Sequence, residues 1–133
     1  MTLETLKHYG IAVVVFLTID SIWLLLIAKN LYSKYLGYLM AKNPNLIAAF
    51  VFYLIFVAGM LYFVIDPALD KSRWQDALLS GMFFGLVTYA TYDLTNLATV
   101  KDWPITITLI DLAWGSFVTA TTCVISYFII KSL

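Results

Sequence analysis

The sequence alternates between long apolar stretches and short polar zones. Most of the charged residues lie within residues 4–7, 29–42, 66–76 and 101–102, and Lys131 follows near the end of the chain. The apolar stretches between these zones cover about 6–28, 46–65, 77–99 and 105–130. A helix needs roughly 20 apolar residues to cross about 30 Å of hydrocarbon, so each stretch is long enough to span a bilayer. The pattern predicts four transmembrane helices.

The polar zone at residues 29–42 has a helical pattern of its own, which predicts a short interfacial helix over residues 30–42. Its lysines would face water, and its tyrosines would lie at the depth of the lipid headgroups. The apolar and aromatic positions recur at helical spacing, at Leu31, Tyr35, Tyr38 and Leu39. Asn43-Pro44-Asn45 should then start the second span, and Asp66-Pro67 should end it.

Composition supports a membrane protein without a soluble domain. The chain has 133 residues, of which 62% are hydrophobic and 12% are charged, and its mean hydropathy is +0.90. So few charged residues could not cover the surface of a soluble domain of this length. The first stretch is expected to be a membrane helix and not a signal peptide, since it starts with Glu4 and Lys7 and lacks a small-residue cleavage site. The fold class is therefore an all-α membrane protein, with residues 1–133 forming a single transmembrane domain.

The lysine and arginine distribution leaves the orientation open. Four spans place both termini on one side, together with the second loop. Four cationic residues belong to that side and four to the other. The positive-inside rule therefore does not choose between the two orientations.

Three aspartates lie inside the predicted spans and are the strongest functional signal. Asp20 and Asp93 each lie about eight residues, or roughly 12 Å, from the end of their helix, and Asp111 lies about seven residues from the start of the fourth. All three therefore share one depth. An acid at a helix centre costs on the order of 3 kcal/mol on insertion scales, so such acids tend to face the protein interior and to be functional.

Three carboxylates close together in a medium of low dielectric constant cannot all be charged without a cation. We therefore expect them either to hold protons or to bind something positive, such as a metal ion or an organic cation. The alternative is a structural network in which hydroxyl and amide groups hydrogen-bond to the acids and hold the bundle together.

Two of the aspartates occur in the same short motif. Ile19 to Trp23 and Ile110 to Trp114 both have the pattern I-D-x-x-W. Residues three apart are neighbours on a helix, so each tryptophan should flank its aspartate. The two helices run in opposite directions, and the arrangement resembles, weakly, the inverted repeats of transporters.

The third helix is the most polar of the four. At 100° per residue, one broad face carries hydrogen-bonding groups and the opposite face is apolar. The candidate ligand- or ion-binding residues are the three aspartates with their polar and aromatic neighbours: Asp20, Asp93, Asp111, Asn96, Tyr89, Tyr92, Trp23, Trp114 and Thr95. The fourth helix adds a stripe of small and polar residues, which favours close helix packing over a substrate path.

Several other kinds of chemistry have no signal in the sequence. With one cysteine and one histidine, there is no cluster of the usual zinc type. No phosphate-binding loop, dinucleotide motif or basic patch for nucleic acid is present, and no cofactor is indicated.

A longer motif on the third helix resembles a known family. Residues 88–99 read T-Y-A-T-Y-D-L-T-N-L-A-T, and they are followed by Trp103-Pro104 and by Asp111-Leu112-Ala113-Trp114-Gly115. This pattern resembles the DUF2177 family of small bacterial membrane proteins, over nearly the whole chain. The resemblance implies the four-helix architecture and a bacterial inner membrane location, and it supplies no activity.

Three classes of function are compatible with the acidic site. The leading hypothesis is a transporter of protons, metal ions or cationic solutes, acting as a homodimer because four helices are few to enclose a path. The second is a membrane-embedded enzyme acting on a lipid or an isoprenoid. Its paired carboxylates would act as acid and base or as ligands for a divalent ion, with Tyr89 or Tyr92 as a donor. The third is a non-catalytic subunit that binds a partner protein or a small hydrophobic ligand.

Overall fold

The protein is a bundle of four helices. A computed structural model describes residues 2–133, and this part of the chain contains no β-strand. The helices are α1 (Leu3–Leu36), α2 (Leu46–Lys71), α3 (Trp74–Thr99) and α4 (Ile105–Lys131). The expected all-α architecture is confirmed.

Three of the helices have the length and apolarity of membrane spans. These are α1, α2 and α4, each containing a strongly apolar stretch of spanning length. Helix α3 has 26 residues, so it is about 39 Å long at 1.5 Å per residue and also long enough. Helix α3 is less apolar than the other three helices, because it carries the polar face described above.

Side-chain caps and backbone conformation set the helix ends. Thr2 accepts a hydrogen bond from the backbone N–H of Thr5 at 3.1 Å, and Asn45 accepts one from Ala48 at 3.1 Å. Both are N-caps, which satisfy donors that have no partner inside the helix. Helix α2 ends at Lys71, and the next residue, Ser72, has a left-handed φ of 53° that reverses the chain into α3.

The segment expected to be a separate interfacial helix instead continues α1. The helix passes through a π-helical turn at Leu24–Ala28 and runs on to Leu36. Leu36 is buried in a small cluster with Trp103 and Ile107. This packing keeps residues 29–36 against the bundle, and residues 37–45 form the connection to α2.

The second span also extends further than expected, since α2 does not end at Asp66-Pro67. The helix continues to Lys71, and a second π-helical turn occupies Leu61–Ile65, immediately before Asp66-Pro67. In a regular α-helix the Pro67 ring would clash with the carbonyl four residues earlier. The wider π-turn makes room for the ring, so the proline deforms the helix without ending it.

Small residues bring α3 and α4 into close contact. A Cβ atom added at Gly81 would lie 3.0 Å from the Cα atom of Ala120, and one added at Gly85 would collide with the Gly115 carbonyl. On α4, Thr119, Thr122 and Ser126 are fully buried. Their hydroxyls have no hydrogen-bond partner within residues 2–133. The main apolar core lies between α1, α2 and α4.

Contacts at the two ends of the bundle show its topology. At one end, His8 lies 3.9 Å from the carboxylate of Asp66, and Lys131 faces the same cleft. At the other end, the Tyr38 hydroxyl donates to the backbone carbonyl of Asp102 at 2.6 Å. The start of α1, the end of α2 and the end of α4 therefore share one end, as four alternating helices require.

Candidate functional site

All three aspartates face the interior of the bundle. The exposed fractions are 5% for Asp20, 0% for Asp93 and 5% for Asp111. The opposite face of α3 is exposed, including Phe83, at 66%. The helical periodicity correctly put Asp93 on the buried side of α3 and Phe83 on the exposed side. Other residues of the predicted polar face are exposed, including Thr91, Tyr92 and Thr95.

Asp20 on α1 is held by tyrosine on α2. The Tyr53 hydroxyl donates a hydrogen bond of 2.9 Å to one carboxylate oxygen of Asp20. The indole N–H of Trp114 points into the same region and makes no hydrogen bond within residues 2–133. Asp20 is therefore partly satisfied, with a further donor close by.

Asp93 and Asp111 form a separate pair between α3 and α4. Their carboxyls lie within hydrogen-bonding range of each other. The Tyr32 hydroxyl, from the extension of α1, donates to Asp111. Neither oxygen of Asp93 receives a hydrogen bond from a donor in residues 2–133.

Tyr89 stands between the two acidic sites. Its phenol is within electrostatic range of Asp20, Asp93 and Asp111. A Cβ atom on Gly115 would collide with the Tyr89 ring, so the absence of a side chain at Gly115 leaves room for that ring. The three acids are thus near one another without forming one cluster. Residues 2–133 contain no group of three or more His, Cys, Asp or Glu side chains that could hold a metal ion.

The tryptophans of the two I-D-x-x-W motifs meet inside the bundle. The rings of Trp23 and Trp114 are stacked, with centroids 4.3 Å apart and planes at 10°. Each tryptophan was expected to flank the aspartate of its own motif. The structure also places Trp114 near Asp20, the aspartate of the other motif.

A cavity of about 680 Å³ opens onto Asp20. Helix α2 packs on the other helices mainly through its second half, and the cavity occupies the gap beside its first half. The lining is mostly aromatic and contains no basic residue within the described chain. It comprises Asp20, Trp23, Leu24, Tyr32, Ala48, Ala49, Phe52, Tyr53, Thr88, Tyr89, Tyr92 and Trp114.

Four of the candidate residues do not line the cavity: Asp93, Asp111, Thr95 and Asn96. Thr95 is exposed, and its hydroxyl donates to the backbone carbonyls of Thr91 and Tyr92 within its own helix. Asn96 is half-buried and is not part of the lining. Tyr92 lines the cavity only at its rim, since 57% of it is exposed. Placing these residues on the polar face of α3 did not establish that they reach the site.

The two tyrosines that donate hydrogen bonds to the aspartates were missed from the sequence. Tyr53 carries a hydroxyl group within the otherwise apolar second span, and this contrast could have identified it as a candidate. Tyr32 belonged to the expected interfacial helix, where its hydroxyl would have faced the headgroups. Only the continuation of α1 brings it to Asp111.

Comparison with known proteins identifies a family and no closer relative. The model of the DUF2177 family, described as predicted membrane proteins, matches residues 5–128. No curated protein and no solved structure matches the chain.

Proposed function

We propose that this chain, which belongs to the DUF2177 family of predicted membrane proteins, binds a hydrophobic organic cation inside the membrane, with Asp20 as the counter-ion. The observation that supports this most directly is the cavity that Asp20 helps to line. A buried carboxylate forms part of its wall, the rest is largely aromatic, and no basic side chain in the described lining neutralises the acid.

The aromatic walls suit a cation as well as an apolar group. The faces of tryptophan, tyrosine and phenylalanine rings attract positive charge, by about 0.5 to 2 kcal/mol for each favourable contact. Trp23, Trp114 and Phe52 contribute aromatic rings to the cavity lining. A ligand with a delocalised positive charge and an apolar surface would use both the rings and the carboxylate.

The position of the cavity suggests that the ligand enters from the bilayer. The first residues of α2 are widely exposed, with Leu46 at 73% and Ile47 at 79%, and they carry no charge. The gap beside them would therefore open towards lipid. A ligand that partitions into the membrane could reach Asp20 through this gap without crossing the bundle.

Transport would require a path to both membrane surfaces. Four helices are few to enclose such a path, so we propose that transport, if coupled to this site, uses a homodimer. The bacterial inner membrane is the location that we propose. Chemical cross-linking in native membranes tests the homodimer separately from ligand binding.

The binding proposal is tested with tetraphenylphosphonium and purified protein in nanodiscs. Binding should quench tryptophan fluorescence, because Trp23 and Trp114 line the cavity. Asp20→Asn should weaken the affinity at least about tenfold, since it removes the counter-ion but keeps the side-chain shape. Asp102→Asn is the matched control, because Asp102 lies in the exposed α3–α4 connection. Equal affinity in the wild type and Asp20→Asn would refute the role of Asp20.

A further inference from the structure

The Asp93–Asp111 pair lies beside the cavity, and neither residue contributes to its lining. Asp93 is fully buried, and Asp111 is 5% exposed. The proposed cation at Asp20 does not explain why two further carboxyls are placed together in the interior. Their hydrogen bonds provide the explanation.

The hydrogen bonds of Asp93 are incomplete if both carboxyls are ionised. A carboxylate is only an acceptor, and neither Asp93 oxygen receives a donor from residues 2–133. Such a buried, unpaired charge is very costly. A single proton on Asp93 removes the problem, since Asp93 then donates to Asp111. Asp111 in turn accepts from both Asp93 and Tyr32.

We propose that Asp93 and Asp111 hold one proton between them, forming a proton-binding site separate from the cation site at Asp20. The pair then carries a single negative charge, delocalised over two carboxyls. This site rests on its own geometry, and it remains if Asp20 turns out to bind no cation.

The groups around the pair are consistent with one shared proton. Tyr32 approaches from α1, and Tyr89 and Tyr92 approach from α3. On α2, the Tyr53 hydroxyl donates to Asp20 and not to the pair. No lysine, arginine or histidine of residues 2–133 is near enough to compensate a second negative charge.

Tyr32 connects the proton site to the cavity, because it lines the cavity and donates to Asp111. For the proton to leave, the Tyr32 O–H turns towards a water molecule in the cavity, and its oxygen accepts a hydrogen bond from the pair. The pair then gives its proton to the Tyr32 oxygen, while Tyr32 gives its own proton to water. Tyr32 stays neutral, the pair becomes doubly negative, and the water becomes hydronium.

Infrared spectroscopy of the reconstituted protein tests the shared proton. At neutral pH we expect the C=O stretching band of a protonated carboxyl group. This band should shift in D2O, and it should also shift when the protein is made with isotope-labelled aspartate. Asp93→Asn should abolish it, since the amide donates to Asp111 without a proton. Asp20→Asn should retain it. If the wild type lacks the band, or if Asp20→Asn is the variant that loses it, the proposal is wrong. The wild-type result decides this even if Asp93→Asn does not fold.

The role of Tyr32 is tested by the rate at which this band shifts after transfer to D2O. Tyr32→Phe should keep the band and slow its exchange, because the hydroxyl relay is lost. Tyr38→Phe is the control, since the Tyr38 hydroxyl bonds to the exposed connection at Asp102. Equal exchange rates in Tyr32→Phe and the wild type would refute the relay. Tetraphenylphosphonium binding, measured on the same samples, reports separately on the cation site.

Discussion

Trp23 on α1 and Trp114 on α4 stack face to face, with ring centroids 4.3 Å apart. They come from opposite ends of the chain, and each follows an aspartate by three positions. Their contact joins the first and last helices at the wall of the cavity. It therefore connects the stability of the bundle to the shape of the candidate site.

The stacked pair should show an energetic coupling. In a double-mutant cycle, Trp23→Leu and Trp114→Leu should together destabilise the protein by less than the sum of the single changes, by about 0.5 to 1.5 kcal/mol. Unfolding in mixed micelles provides the free energies. Trp74 does not contact Trp23, so a cycle of Trp23→Leu with Trp74→Leu should be additive. A coupling no larger than in this control cycle would contradict a stabilising stack.

Gly115 should tolerate no side chain. In Gly115→Ala the new methyl group meets the Tyr89 ring, and relieving this clash should cost about 1 to 3 kcal/mol of unfolding free energy. The displaced Tyr89 ring should also change the cavity and weaken ligand binding. Gly10→Ala is the control, because a Cβ atom there meets nothing within 4 Å. That variant should be slightly more stable, since alanine is the better helix former. Equal stability of the two variants would argue against the close packing of Gly115 on Tyr89.

The fold was largely predictable because helices buried in lipid or protein are rich in apolar residues, and such runs are visible in the sequence. Apolar runs located the helices, and periodicity on α3 put Asp93 on its buried face. The helix ends were less predictable. Pro67 normally stops a helix, but a π-helical turn accommodates it. Residues 29–36 are amphipathic enough for an interface, but the packing of Leu36 keeps them on the bundle.

The site was predictable where a residue carries a charge or lies beside a charged residue on the same helix, as Trp23, Trp114 and Tyr89 do. Burying an aspartate in an apolar span costs free energy, so its position alone indicated a functional residue. Tyr32 and Tyr53 gave no comparable signal, because tyrosine is common at membrane interfaces and in apolar cores. Their roles depend on distances across helices, which helical periodicity does not contain. Thr95 was predicted to belong to the site and does not reach it. It lies on the predicted polar face of α3, but its hydroxyl donates to a backbone carbonyl of its own helix.

Tyr53 should support the ionised form of Asp20. Tyr53→Phe removes the hydrogen bond of 2.9 Å to the carboxylate. A hydrogen bond to a charged group contributes about 1.5 to 3 kcal/mol, so cation affinity should fall by about tenfold or more. Tyr62→Phe is the matched control, because 72% of Tyr62 is exposed. The result would contradict this role if both variants bound tetraphenylphosphonium as the wild type does.

Cation binding should weaken as the pH falls. The cation needs an ionised Asp20, and a proton on that carboxyl competes with it. In the range where Asp20 titrates, affinity should decline by up to about tenfold per pH unit. Titrations of tetraphenylphosphonium at several pH values measure this decline. Asp20→Asn should bind weakly and show a much flatter profile. A wild-type profile as flat as that of the variant would contradict competition at Asp20.

The central claim is that the cavity recognises positive charge, and the most direct measurement compares two ligands of nearly equal shape. Tetraphenylphosphonium and the neutral tetraphenylsilane differ mainly in charge, and equilibrium dialysis against protein in nanodiscs gives both affinities after correction for partitioning into empty discs. We expect the wild type to bind tetraphenylphosphonium at least about tenfold more tightly than tetraphenylsilane, since only the cation pairs with Asp20. Equal corrected affinities would contradict it and would assign the cavity to a neutral hydrophobic ligand.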